Sequence, residues 1–336
     1  MVRFGNNYGL FVTNSLKLIM IDISCTVLIR CFNEEKFIGK LLTGIMKQTI
    51  KSVEIIVVDS GSTDATLSIA AQFPVKILPI KSEDFSFGRA LNIGCRAASN
   101  EIIVFASAHV YPIYNDWLEK MINPFIIKEV GLVYGKQRGN EITKYSEQQV
   151  FKKWFPNSDQ TVGKNIFCNN ANASIRKSIW ADIPYDEELT GLEDIDWAKK
   201  ITRKGYEIIY EKDAGIIHIH DEKYSQIKNR YKREAIAFKI IYPGENFSFF
   251  NFVWMFLSNT ISDYYHSISD GKLFYAIFSI PLFRFNQFWG TYRGYRQTSN
   301  ISPELKNHFY FPHGFFRKTE EIPANGNDRL IKYENN

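Results

Sequence analysis

Apolar positions along this chain switch repeatedly between strand-like and helix-like periods. CTVLIRC (25–31) is a short β-branched run and predicts a strand. In EEKFIGKLLTGIMKQ (34–48), Phe37, Ile38, Leu41, Leu42, Ile45 and Met46 recur at the i, i+3/i+4 spacing of an amphipathic helix. VEIIVVD (53–59) is apolar almost throughout, as a parallel strand covered on both faces must be. SGSTD (60–64) reads as a turn whose Thr or Asp caps the helix ATLSIAAQF. VKILPI (75–80) predicts a third strand, FGRALNIGCRAA (87–98) a helix, and EIIVFAS (101–107) a fourth strand. Strands alternating with helices in this way predict an α/β, doubly wound, mostly parallel sheet.

After residue 112 the pattern loosens. NDWLEKMINPFI reads as helix, VGLVYGKQRG as strand and turn, and 140–168 as a mixed, aromatic, mobile loop region. LEDIDWAKKITRKG (192–205) is a helix closed by Gly205, and EIIYEKDAGIIHIH (207–220) carries two strand-like runs. KYSQIKNRYKREAIAFKI (223–240) is a basic helix. FSFFNFVWMFL (247–257) and LFYAIFSIPLFRFNQFW (273–289) are rich in aromatics. Neither gives about 20 uninterrupted apolar residues, the length a membrane span needs. Pro281 and Arg284 interrupt one, and Asn259 and Asp263 end the other. Two readings stand: helices lying in the headgroup region of an anionic membrane as a peripheral contact, or a packed helical subdomain or dimer interface. The expected organisation is an N-terminal extension over 1–21, an α/β domain over 22–222 and a helical region over 223–336. Asn and Lys interrupt the N-terminal stretch, so it lacks a signal-peptide core, and Met20 offers an alternative start.

Composition narrows the function classes. The chain has 336 residues, 45% hydrophobic and 23% charged, which supports a real core and argues against disorder. A net charge of +5 suits an acidic small ligand or an anionic surface and does not call for nucleic acid. Cys25, Cys31, Cys95 and Cys168 show no CxxC spacing, which predicts reduced thiols in a cytoplasmic enzyme.

Ligands of open α/β sheets bind beyond the carboxyl ends of the strands. Arg30, Asp59 and Ser107-Ala108-His109 all fall there. Asp59, in VVDSGSTD (57–64), can accept hydrogen bonds from a nucleobase or ribose, or simply hold its own turn. GLEDIDWAKK (191–200) puts Glu193 and Asp194 in the first turn of a helix. Thr190 and Glu193 fit the capping-box pattern, which accounts for Glu193 alone. Asp194 is left over, and a carboxylate facing a pocket can deprotonate an acceptor hydroxyl. His218 and His220, two apart in a strand-like run, share one face and suit a divalent metal or a phosphate. The alternative is one core histidine and one exposed one. Arg89, opening the helix in SFGRALNIG (86–94), pairs with a phosphate or with solvent.

The order RCFNEE, VVDSGSTD, FSFGRALNIG, FASAHVYP, CNNANASIRKSIW, GLEDIDWAKK and HIH, followed by the basic RYKREA helix, resembles glycosyltransferase family 2 over residues 23–240. The resemblance is to inverting enzymes of the GT-A fold, a Rossmann-like sheet flanked by helices, of the bacterial polysaccharide or capsule type. It implies a nucleotide-sugar donor (UDP-, dTDP- or other) at the sheet's carboxyl edge. Arg30, Asn33 and Glu34 would line the nucleotide pocket, Asp59 would meet the base or ribose, and Ser62, Arg89 and Ser107 would be further pocket residues. Asp194, beside Glu193, matches the family's catalytic base. The family's Asp-x-Asp metal site is replaced here by Ser107-Ala108-His109. One reading keeps a divalent cation on His109 with His218 or His220, Mn²⁺ rather than Mg²⁺, because imidazole suits the softer ion. In a second reading the histidines meet the diphosphate with no metal. A third, an inactive relative, is opposed by the intact Glu193-Asp194 pair. The resemblance thus implies sugar transfer to a glycan or lipid-linked acceptor in surface polysaccharide synthesis, at the cytoplasmic face of the inner membrane, by a monomer or a homo-oligomer. The rivals are a non-catalytic nucleotide-sugar-binding component of an assembly complex, and a nucleotidyltransferase. The latter would want a glycine-rich phosphate loop, and RCFNEE is not one.

Overall fold

The apolar runs become eight strands: β1 Cys25–Cys31, β2 Val53–Asp59, β3 Val75–Pro79, β4 Ile102–Ser107, β5 Val110–Pro112, β6 Val130–Arg138, β7 Asn172–Arg176 and β8 Glu207–His218. They form one sheet in the order β3-β2-β1-β4-β7-β6-β8-β5. A computed structural model describes residues 24–158, 166–298, 330, 331 and 333. The N-terminal extension expected over 1–21 lies outside the described residues. β3, β2, β1 and β4 are parallel, as the alternation predicts. β7 then runs antiparallel between β4 and β6, β8 is parallel to β6, and β5 is antiparallel to β8.

The helices are α1 Ile38–Met46, α2 Thr66–Ala70, α3 Phe87–Ala97, α4 Trp117–Ile122, α5 Tyr145–Trp154, α6 Lys177–Asp182, α7 Glu193–Arg203, α8 Tyr224–Ile241, α9 Phe249–Ser269, α10 Leu273–Ala276 and α11 Ser279–Tyr295. Both sheet faces are covered. Val27 and Ile29 of β1 pack with Leu41, Leu42 and Trp117 on one side. Leu28, between them, packs with Leu91, Phe105 and Trp197 on the other. That period-2 division explains why the central strands read as unbroken apolar runs. Gly94 sets the approach of α3, since a Cβ there would lie 2.1 Å from Leu28 Cδ1.

Three expectations change. Met46, counted on the apolar face of α1, is exposed. The region 140–168 is not simply loop: it contains α5, whose Tyr145, Ser146, Glu147 and Phe151 are buried. Residues 207–218 are one strand, and the KDAG break is absorbed as a register shift against β6. Lys and Asp in mid-strand mimicked a turn, but they fall where β8 advances from Glu211 to Ile216 while β6 advances only from Gly135 to Gln137, so the extra residues bulge out of β8 and the strand continues.

The C-terminal helices pack on the domain rather than leave it. Gly290 and Gly294 let α11 meet α8, for added Cβ atoms would lie 2.3 Å from Lys228 O and 2.5 Å from Lys232 O. Phe252 of α9 meets Phe285 and Trp289 of α11 at ring distances of 5.8 and 5.4 Å. Asp263 of α9 and Arg284 of α11 form a buried bidentate pair at 2.7 and 2.8 Å, joined by Ser146 Oγ of α5 at 2.6 Å. Among the described residues no helix is long and apolar enough to cross a membrane.

Breaking that pair from one side strands a buried charge, a loss of about 3–5 kcal/mol. Asp263→Ala should therefore lower unfolding free energy in urea by that amount. The apolar double change Asp263→Leu/Arg284→Met should recover most of it. A double variant as unstable as the single one would show that the pair's charge is not what matters.

Candidate active site and its histidine cluster

The parallel register brings the carboxyl ends of β1, β2 and β4 together. Arg30 lies opposite Ser107, and Cys31 opposite Asp59. Asp59 is 2% exposed, and its carboxylate accepts from Gly61 N (2.9 Å), Ser62 N (3.0 Å), Ser62 Oγ and Cys31 Sγ. Gly61 has φ 92°, the left-handed region this turn requires. Asn33, at φ 53°, accepts from Thr63 N at 2.8 Å, and its own N–H donates to Ser62 Oγ at 2.9 Å. Asn33, Asp59 and Ser62 thus knit the loops after β1 and β2 into one platform. Arg89 stands apart from it. Arg89 is exposed, 3.8 Å from Asp84 and from Glu187, while its N–H is capped by Ser86 Oγ.

The acidic pair sits on α7, but not through a capping box. Leu192, at φ 55°, precedes the helix, which begins at Glu193. Thr190 Oγ1 donates instead to Arg233 O at 3.1 Å. A left-handed residue between the two box positions removes the geometry that Thr190 and Glu193 would need. Glu193 pairs with Arg30 at 3.0 Å. The Arg30 and Arg233 guanidinium carbons lie 4.9 and 4.7 Å from the centre of the Phe87 ring. Asp194 is buried, accepting from Asn170 N at 3.1 Å and Ile195 N at 2.8 Å. Burial, and then the neighbouring Glu193 charge, push its carboxyl up to about 7. Burial and the two acids also push the Cys168 thiol well up, so it stays protonated; all four cysteines are free and buried.

Asn170 was not singled out by the sequence, where it is one of three asparagines in CNNANAS. It is 3% exposed, and neither its amide oxygen nor its nitrogen has a hydrogen-bond partner. An orphaned buried amide costs free energy until something polar meets it. Its backbone N–H donates to Asp194, so the residue that carries the spare amide is anchored to that carboxylate.

The three histidines expected to act together do meet. β5 pairs with β8 so that Val110 lies opposite His218, and His109 O accepts from Ile219 N at 3.1 Å. The rings of His109 and His218 stack at 5.1 Å, with Phe151 of α5 stacked on His218 at 5.7 Å. His220 lies two residues past the end of β8's last residue, yet its Nε2 is 3.0 Å from His218 Nε2. Each Nδ1 meets an oxygen: His109 with Glu34 Oε1 (2.7 Å), His218 with Gln137 Oε1 (2.7 Å) and His220 with Glu147 Oε1 (3.0 Å). Gln137 is oriented by its own amide, which donates to Asn169 Oδ1. An amide oxygen can only accept, so His218 carries its proton on Nδ1 and presents a lone pair at Nε2.

Electrostatics sharpen this. Burial, then His220, His109 and Arg230, push His218 well down, so it is neutral. Burial opposes a charge on His109, but the Glu34 carboxylate and its hydrogen bond raise it overall. Burial alone would raise Glu147, yet Arg230 and His220 bring it down to about 2. Glu147 is thus ionised and accepts from His220 Nδ1. The two facing Nε2 atoms then need one proton or one cation between them. Among the described residues, His109, His218 and His220 bring ligand atoms within 4.8 Å of one another, as do Glu147, His220 and Glu222. In the second group both carboxylates are held by Arg230, at 2.8 and 2.7 Å. The all-histidine group therefore fits a divalent cation better. Its oxygen-held Nδ1 atoms orient the rings as metal-bound histidines are oriented.

Comparison with known proteins agrees with the fold. Residues 26–183 match the model of Glycosyl transferase family 2. The chain is 25% identical over 209 residues to O-antigen chain rhamnosyltransferase RfbN of Salmonella typhimurium, covering 58% of this chain and 66% of that protein. It is 28% identical over 200 residues to glycosyltransferase AglE of Haloferax volcanii, covering 56% and 64%. It thus spans less than two thirds of the length of these curated relatives. Mannosyltransferase PcManGT from Pyrobaculum calidifontis, solved in complex with GDP-Man and Mn²⁺, shares the fold with TM-score 0.53 and 18% identity over 85% of this chain and 87% of that one. Residues 26–183 of this chain thus resemble glycosyl transferase family 2, on a GT-A fold shared with that mannosyltransferase.

Proposed function

We propose that this chain is an inverting glycosyltransferase. It moves a sugar from a nucleotide-sugar donor to a hydroxyl of a glycan or lipid-linked acceptor, in surface polysaccharide synthesis in the cytoplasm. The observation that carries the reading is Asp194, a buried carboxylate fixed by two backbone N–H groups and raised to about 7 at the sheet's ligand edge. Such a group is ionised in part at neutral pH and basic enough to take a hydroxyl proton. The relative named as an O-antigen rhamnosyltransferase supports the polysaccharide role.

The acceptor O–H proton passes to Asp194 as the oxygen bonds to the anomeric carbon. The bond from that carbon to the diphosphate oxygen breaks on the opposite face, and the nucleoside diphosphate leaves with the electron pair. Arg30, pinned by Glu193 and Phe87, offers positive charge to the diphosphate. The platform of Asn33, Asp59 and Ser62 receives the nucleoside, with Ser107 at the edge beside Arg30. Asn170 offers a donor and an acceptor to sugar hydroxyls. His109, His218 and His220 would hold Mn²⁺ in preference to Mg²⁺. A cation so held would neutralise charge on the departing diphosphate. Glu34, Gln137 and Glu147 keep the three rings oriented.

Asp194→Asn should cut transfer by about 10²–10⁴-fold while nucleotide binding persists. A non-catalytic binding component would be indifferent to the change. In the wild type, kcat/KM should fall as pH drops below about 7, where Asp194 takes up a proton. The same shift has a stability sign. The folded carboxyl lies above its ordinary value of 3.8, so its favourable contribution is full at low pH and is lost as pH rises through about 7. Asp194→Asn should therefore melt higher than wild type at pH 8, with the gap closing towards pH 5. An inactive variant that melts lower at pH 8 would contradict the assignment.

Mn²⁺ titration followed by electron paramagnetic resonance tests the cluster without turnover. His218→Ala should abolish the site, and Glu147→Gln, which leaves the three imidazoles in place, should weaken it by about 10–100-fold. Affinity equal to wild type in both would leave the histidines to contact the diphosphate directly.

A further inference from the structure

α9 is a surface helix of 21 residues whose only charged side chain, Asp263, is buried. Phe250, Trp254, Leu257, Ile261, Tyr265 and Ile268 recur along it at helical spacing and are all exposed, from 48 to 77%. Such a row lies on one face and is about 30 Å long at 1.5 Å per residue. α11 continues the surface. Phe278, Leu282 and Phe285 are exposed at the same spacing, and the row runs on through Trp289 to Arg293 and Arg296. Neither cation is buried, and α11 contains no acid. Between the helices, Phe274 and Tyr275 of α10 are 93 and 92% exposed. The ring of Phe249 lies 5.8 Å from Tyr292, so the aromatic start of α9 sits beside the arginine end of α11.

Contiguous exposed apolar surface of this extent marks an interaction site. Its chemistry selects the partner. The row is aromatic-rich, ends in cations, and belongs to helices too polar elsewhere to span a bilayer. Over 242–298 the exposed acids are Glu245, in the loop before α9, and Asp270, which pairs with Lys152 at 3.3 Å. A second copy of the chain would bring the same arginines and little to neutralise them. Anionic headgroups above an acyl boundary meet both features at once.

We propose that the exposed face of α9, α10 and α11 docks on an anionic lipid surface. The aromatic and aliphatic row lies at the acyl boundary, and Arg293 and Arg296 reach the headgroups. This does not depend on the transferase reading, because it concerns binding alone. It places the sheet's ligand edge on a protein tethered to a membrane without spanning it.

Flotation of the full chain with phosphatidylcholine vesicles, with and without phosphatidylglycerol, is the test. The wild type should float with the anionic vesicles and weakly with the neutral ones. Phe250→Ser/Trp254→Ser/Ile261→Ser should lower partition by about 100-fold or more. Arg293→Gln/Arg296→Gln should lower it by about 30-fold on anionic vesicles only. Ile126→Ser, a change at an 87% exposed site elsewhere, should alter nothing. Equal flotation of wild type and the apolar triple variant would overturn the proposal. So would absence of flotation together with a dimer in sedimentation that the triple variant breaks, which assigns the face to a second copy. Absence of flotation with a lower melting temperature for the triple variant would also overturn it, assigning the face to a segment of the chain itself.

Discussion

The buried carboxylate of Glu147 joins the two halves of this structure. One oxygen accepts from His220 Nδ1 and the other from Arg230 of α8, with the side chain 3% exposed. Its two neighbours in the first turn of α5 reach the other way. Tyr145 OH donates to Asp270 and Ser146 Oγ to Asp263, both in the C-terminal helical region. Three consecutive residues thus fasten α8, α9 and the histidine cluster to one helix. A buried carboxylate is tolerated only when fully paired, so the position of each partner is fixed by the others. Phe151, about one turn further along α5 than Glu147, closes the stack on His218.

The same logic of forced pairing runs through the ligand edge. Asp59 spends its acceptors on its own turn, and that makes the platform rigid. Glu193 spends its charge on Arg30. Asp194 makes no ion pair of its own, and burial, then the neighbouring Glu193 charge, raises its proton affinity. His218 and His220 present facing nitrogens that their oxygen-bound sides cannot satisfy. The groups left over after structural pairing are a carboxylate, an amide and three imidazole nitrogens.

Much of this was legible in the sequence. Continuous apolar runs with helical intervals gave the parallel half of the sheet, because such strands need apolar residues on both faces. Position at strand ends found Arg30, Asp59 and His109, and spacing found His218 and His220. What the sequence hid was mostly non-local. Glu147 lies in a stretch that read as loop, since α5 owes its burial to α9 and α11 rather than to a strong pattern of its own. The failed capping box turned on one left-handed residue, Leu192, which no composition announces. Asn170 and Gln137 are ordinary amides until the fold sets one against Asp194 and the other against His218.

We propose that His109, His218 and His220 together hold a divalent cation at the sheet's ligand edge. Anomalous diffraction at the manganese edge, from crystals grown with Mn²⁺ and a nucleoside diphosphate, tests it most directly. The claim predicts one peak bonded to Nε2 of His109, His218 and His220, and to the diphosphate. A phosphate oxygen on those nitrogens with no peak beside them, or a peak held by carboxylates elsewhere, would contradict it.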